Sequence, residues 1–165
     1  MKFVCGEVAI DDVNRFVSDI DTIEEMANVA IQVFDARYIV DRQHIERAVE
    51  CADRARRRDN NIARERSVEI LLYAAGRRQI TDALDIGVST GLNRIVVVIT
   101  GDDETGAADS IESSVVDDLD TEVLGSYDPD LVQSYFDITA SEIDTVSGDI
   151  ESIVLERVAL LAVER

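Results

Sequence analysis

The side chains best equipped for chemistry are few. His44 is the only histidine, and the two cysteines, Cys5 and Cys51, stand far apart in the chain. A Cys–His nucleophilic pair needs its two side chains within hydrogen-bond reach. His44 and Cys51 are seven residues apart, about two helical turns or ~10 Å, so they do not form one. No serine carries a motif that would pair it with that histidine. Two isolated cysteines also fall short of a four-ligand zinc site, and both read as reduced core residues. The stretch Thr100-Gly101-Asp102-Asp103-Glu104-Thr105-Gly106 superficially resembles a nucleotide loop. It lacks the Gly-Lys-Ser/Thr ending and any basic residue, and three adjacent carboxylates repel phosphate. Oxygen ligands do suit Mg²⁺, so Asp102, Asp103 and Asp109 mark the one place for a metal-dependent enzyme, beside the simpler reading as a solvated loop. No catalytic residue, cofactor or metal ligand is expected, and the expected class is a binding protein.

Arginine remains. Lys2 is the only lysine among 16 basic residues. Arg54, Arg56, Arg57 and Arg58 close one expected helix, where cations favour the helix dipole. Asn60-Asn61-Ile62-Ala63-Arg64 opens the next, with Arg64 in a first turn whose free N–H groups would form an anion site. Gly76-Arg77-Arg78-Gln79 leads into a third. These arginines either pair with Glu46, Glu50, Asp53, Glu65 and Glu69, or they make a phosphate or RNA surface. The RNA reading uses bidentate guanidinium contacts and base stacking, with Tyr38 or Tyr73 as platforms. Its candidate residues are Asn61, Arg64, Arg77, Arg78 and Gln79.

Charge gives this segment its weight. The 165 residues carry 16 basic and 35 acidic side chains, a net −19 that excludes a generally basic nucleic-acid binder. Counted by segment, residues 1–36 carry −6, residues 37–94 carry +3 and residues 95–165 carry −16. The acidic flanks with almost no lysine suit a surface kept soluble in concentrated salt, as in a halophile, because at ~1 M salt the Debye length is ~3 Å. The middle third kept its arginines. Hydrophobic residues make up 46% of the chain, enough for a core, and eight Gly with one Pro argue against long turn-rich stretches.

The elements that must position these groups follow from hydrophobic period. Strands are expected over residues 3–8 and 29–34, with a helix over 12–18 between them. Ile45, Ala48, Val49, Ala52 and Ala55 lie on one face of a helix over 41–57 that Asp41 caps. A helix over 62–75 is expected with Asn61 as its cap and Gly76 ending it. Ile80, Ala83 and Leu84 mark a short helix before Gly87. The run 94–100 reads as a strand buried on both faces. A helix over 106–118, a short strand over 122–124 and helices over 129–136 and 139–146 follow. The helix over 149–163 is apolar nearly all round and must be covered, so Ile150, Ile153, Val154 and Leu155 are the expected partner-docking residues. No run approaches the ~18 apolar residues of a membrane span, and a soluble, cytoplasmic protein is expected. The whole is expected to be one compact α+β domain over 1–165, a small mostly antiparallel sheet packed with several helices.

The chain also resembles a known family. Gln32-Val33-Phe34-Asp35-Ala36, His44, Asn61, the run from Glu69 to Ile80 with Gly76-Arg77-Arg78-Gln79 inside it, Ala83, and Leu155 to Leu161 are similar to the PRPK-binding accessory subunit of the KEOPS complex. The resemblance is strongest over 61–88. It implies a compact fold without catalysis of its own, which binds the kinase/ATPase subunit and helps install threonylcarbamoyl-adenosine in tRNA by engaging the tRNA's 3′ CCA end. The matching positions are Asn61, Glu69, Gly76, Arg77, Arg78 and Gln79. Glu69 and Arg78 have an alternative use as an ion pair joining two helices. A pure protein-interaction module without RNA binding is the alternative function, and the metal-dependent enzyme on the 102–109 loop stands behind it.

Overall fold

A computed structural model of the chain describes residues 1–145 and 149–163. Four antiparallel strands form one sheet: β1 (Lys2–Ile10), β2 (Val29–Asp35), β3 (Gly91–Gly101) and the two-residue β4 (Asp118–Leu119), in the order β2-β3-β1-β4. β3 is central and paired on both sides, with Val97 opposite Val4 of β1 and Val33 of β2. Its residues Ile95 to Thr100 are all buried, because helices cover both faces of the sheet.

One face carries α2 (Arg42–Arg57), α3 (Arg66–Ala75) and α8 (Ile150–Val163). The core there is built from Phe34, Val96 and Val98 of the sheet against Ile45, Ile70, Leu72 and Val158. The opposite face carries α1 (Val13–Ala27) and α5 (Glu104–Ser114), with Val4, Ile31, Ile95 and Val97 against Ile20 and Ile111. The alternation of side chains along each strand divides its residues between these two cores. A third cluster holds Val40, Val132, Phe136, Ile138, Ile153 and Val154, where α6 (Pro129–Tyr135) and the segment before α7 (Ala140–Thr145) meet α8. The expected α+β architecture is present.

Several boundaries differ from the sequence expectation, and the contacts nearby explain most of them. α1 continues beyond residue 18 because Ile20, Ile23 and Ala27 prolong its apolar stripe, and it ends at Asn28 in the left-handed conformation. α5 starts at Glu104, where the Asp103 side chain accepts from the Gly106 N–H. The expected strand over 122–124 is a 3-10 turn. The strand lies earlier, at Asp118–Leu119, paired with Gly6 and Glu7. Gly6 permits that pairing, since a Cβ there would sit 2.3 Å from the Asp118 carbonyl oxygen. The helix expected over 139–146 spans Ala140–Thr145, and residue 146 lies outside the described residues. Cys5 and Cys51 are free and buried, and burial raises both thiol pKa values.

Candidate functional site

Helix α3 organises the arginine-rich third, and the candidate residues separate onto its two ends. At the N-terminal end the helix begins at Arg66, not at residue 62, and Glu65 in the cap position makes no side-chain capping bond. The reason is Glu69. Its fully buried carboxylate accepts from the Ile62 N–H at 3.0 Å through either oxygen and from the Ala63 N–H at 2.8 Å. The N–H groups expected to form an anion site in a first helical turn lie in the loop ahead of the helix, and the chain's own carboxylate takes them. Asn61 is not the cap, because its Nδ2 donates to the Ala63 carbonyl. Arg64 lies in the loop ahead of the helix, where its carbonyl accepts from Arg56 Nη1 at 2.9 Å. Glu69 is thus held by backbone N–H groups at one end of α3, and Arg78 lies beyond the other end.

The C-terminal end closes as expected. Gly76 has φ 62°, the Arg77 N–H donates to the Leu72 carbonyl and the Gly76 N–H to that of Tyr73, the paired bonds of a left-handed helix stop. Arg77 then turns inward, donating from Nη2 to the Tyr135 carbonyl with its guanidinium 4.6 Å from that ring's centre. The Tyr135 hydroxyl donates to the Asp82 carbonyl at 2.7 Å, and burial pushes its pKa up to about 12. Arg77 is therefore a tie between α3 and α6, whereas Arg78 and Gln79 are exposed. Beyond them α4 (Ile80–Ala83) begins, and Ile80 and Leu84 are 48% and 56% exposed. Ten residues of α3 put about 15 Å between the Asn61/Arg64 end and the Arg78/Gln79 end, so the five RNA candidates do not converge on one site. Tyr73 is buried and cannot offer a face to a base, and Tyr38 stands edge-on to Tyr135 at 5.6 Å.

His44 is fully buried. Its Nε2 lies 2.8 Å from the Ala74 carbonyl and its Nδ1 accepts from the Val40 N–H, so the ring bridges α2 to α3 in the neutral Nε2–H form. Burial lowers its pKa to about 4. Two devices gave no signal in the sequence, because each joins residues distant along the chain. Arg66 forms a two-pronged pair with Asp53 at 2.8 and 2.9 Å and reaches the Thr100 carbonyl, tying α3 to α2 and β3. Arg157 of α8 donates to the Phe136 carbonyl and to both oxygens of Glu142.

The docking expectation for α8 needs correction at two positions. Ile153 and Val154 are 1% and 0% exposed within the third cluster and cannot meet a partner, and Ile150 packs against the same cluster. Leu155 is half-buried. The outward side carries Leu160 and Val163, 37% and 77% exposed. In the acidic loop Asp102 accepts from Asn28 Nδ2 at 2.5 Å and Asp103 from the Gly106 N–H. Among the described residues no group of three or more His, Cys, Asp or Glu is arranged to hold a metal ion, and no helix is long and apolar enough to cross a membrane.

A groove of about 710 Å³ runs between α1 and α3. Its lining includes Val13, Phe16 and Val17 of the first turns of α1 with Ile80, Leu84 and Val88, and, further along α1, Asp21, Glu24 and Glu25, with Asp21 and Glu65 close enough to Glu24 to act on its carboxylate. No curated protein matches the chain. Residues 11–162 match a family described as kinase binding protein CGI-121.

Proposed function

We propose, on the premise that the chain belongs to the CGI-121 family of kinase binding proteins, the KEOPS accessory subunits, that it carries a tRNA 3′ end to a kinase partner and does no chemistry itself. In this reading the partner seats on the outward side of α8, over Leu155, Leu160 and Val163. The single-stranded 3′ CCA end rests at the corner formed by Arg78, Gln79, Ile80 and Leu84, and the complex installs threonylcarbamoyl-adenosine elsewhere on the tRNA.

The observation that carries the docking half is the composition of α8. Its inward positions Ile153, Val154, Val158 and Leu161 are already buried, yet on its outward side, beside Ser152 and Glu156, the apolar Leu160 and Val163 stay exposed in a chain of net charge −19. An apolar strip in a strongly charged surface suits the core of a protein interface, where charged residues are depleted. The RNA half is supported by the corner itself. Two exposed aliphatic side chains beside a guanidinium and an amide offer apolar contact for an unstacked base, plus donors for one or two phosphates. So small a footprint agrees with the acidity of the rest of the chain.

Co-elution with the kinase subunit tests the first half. L160D/V163D, at the two exposed apolar positions, is expected to abolish co-elution while shifting the melting temperature little, and retained binding would move the interface off α8. Filter binding of tRNA with and without its terminal CCA tests the second. Loss of affinity on trimming, and a weaker complex for Arg78→Glu, are expected. Equal affinity for both tRNAs would leave the second reading, a protein-interaction module without RNA binding. That reading draws on the inward turn of Arg77 and on Glu69 taking the N–H groups expected to form an anion site.

A further inference from the structure

β2 is an open edge of the sheet: among the described residues it pairs with β3 and with no other strand. Along an antiparallel edge, alternate residues direct their N–H and C=O groups away from the sheet. In β2 these include Ile31 and Val33, and both are covered by side chains of this chain alone. Glu24 Oε1 accepts from the Ile31 N–H at 2.7 Å, and Gln32 Nε2 donates to the Val33 carbonyl at 3.0 Å. Exposed edges are commonly blunted by lysine, proline or a bulge, none of which occurs in the sequence of β2, Val29-Ala30-Ile31-Gln32-Val33-Phe34-Asp35. The edge opens instead into the groove between α1 and α3, whose lining includes Ile31, Gln32 and Val33.

We infer that this groove receives an extended segment of a protein partner as a fifth strand beside β2, with a lysine or arginine of that segment seated among Asp21, Glu24, Glu25 and Glu65. The groove has the dimensions for it. From Val13 to Glu25 helix α1 rises about 18 Å, the length of about five extended residues. Its walls are apolar on both sides at the Val17 and Leu84 end, which suits the alternate side chains of a strand. The four carboxylates at the other end set the direction and the charge of the occupant. They disfavour a phosphodiester chain, and at −19 per copy they disfavour a second molecule of this protein. Glu24 acts as a placeholder. Burial raises its pKa, and on docking it yields the Ile31 N–H to a backbone carbonyl and turns to a cationic side chain instead.

The inference goes beyond the tRNA and kinase reading; Ile80 and Leu84 line both the groove and the proposed 3′-end corner, but its readouts lie on β2 and α1, so the failure of either is told apart from the failure of the other. The test is a phage library of random ten-residue peptides panned against the full chain, followed by synthetic copies of the enriched sequences. Enriched peptides are expected to alternate apolar residues and to carry basic residues toward one end. In ¹⁵N-labelled protein their binding should shift the amides of Ile31 and Val33 and slow their exchange. N-methylation of the peptide backbone at one parity should weaken binding at least about tenfold, with the other parity tolerated, since each lost bond is worth about a kcal/mol or more. D21K/E25K, at two exposed positions, should weaken the basic peptides by a similar factor without changing the melting temperature. Failure to enrich any peptide, or indifference to N-methylation at both parities, overturns the inference. So does an oligonucleotide ending in CCA that itself protects the Ile31 and Val33 amides, which would assign the groove to RNA.

Discussion

Replacing Glu69 by alanine removes the acceptor that shapes the approach to α3. The carboxylate receives the Ala63 N–H at 2.8 Å and the Ile62 N–H at 3.0 Å. Ala63 is 6% exposed, so water does not readily replace the lost partner. An unsatisfied buried N–H costs roughly 1–3 kcal/mol, and the half-buried Ile62 N–H adds a smaller share. The void left by the shortened side chain adds to both. A loss of about 2–4 kcal/mol follows, which in a domain of this size lowers the melting temperature by about 5–12 °C. Glu69→Gln keeps one oxygen for the Ala63 and Ile62 N–H groups, but it forfeits the charge assistance and sets a buried NH2 donor beside the Ile62 N–H, so it should cost about 1–2 kcal/mol, less than the alanine variant. Urea unfolding of the three proteins measures the differences, provided the m-values agree, and hydrogen exchange at the Ala63 amide localises the effect. An alanine variant within about 1 kcal/mol of the parent would refute the claim that this carboxylate holds the loop.

His44 makes stability depend on pH. Its folded pKa of about 4 lies below the ordinary 6.5, so the unfolded chain binds the proton first and stability falls as pH drops through that window. Between pH 7 and 5 the loss is about 2 kcal/mol, and H44Q should flatten the pH dependence of the urea midpoint there. Gly6→Ala drives a Cβ into the Asp118 carbonyl. It should destabilise the chain by more than about 1 kcal/mol and raise amide exchange at Asp117 and Asp120, whose N–H groups donate to Glu7 and Cys5. R66K keeps the charge but not the fork that grips both oxygens of Asp53. A loss of about 1 kcal/mol is expected by thermal unfolding, whereas no loss would mean the charge alone suffices.

Much of the fold was legible along the chain. The branched run in β3, the apolar stripe of α2 beneath Asp41 and the glycine that ends α3 each depend on neighbours within a turn or on period alone, and each lies where the spacing put it. The fourth strand and the start of α3 moved through contacts that hydrophobic period does not register. The true fourth strand formed at 118–119 because Gly6, more than a hundred positions earlier, leaves room for its backbone. The start of α3 shifted because Glu69 reaches back to Ile62 and Ala63. The arginine-rich third was visible as a charge contrast, but the destination of each arginine was not. Arg77 and Arg66 ended on Tyr135, Asp53 and Thr100, partners that no spacing rule connects to them.

By itself, then, the sequence determined the class of molecule: an acidic α+β domain with a basic middle third and an apolar last helix. Those properties follow from composition and periodicity, which act through the hydrophobic effect and need no long-range geometry. Tertiary structure alone decided which of those residues face outward. Ile153 and Val154 look no different in sequence from Leu160 and Val163, yet the first pair lies in the core and the second on the surface. Apolar residues occur on several sides of α8, among Glu151, Ser152, Glu156 and Arg157, and the helices packed against it choose which of them are buried. The open edge of β2 arises in the same way, since strand order is a property of the assembled sheet and has no local signature.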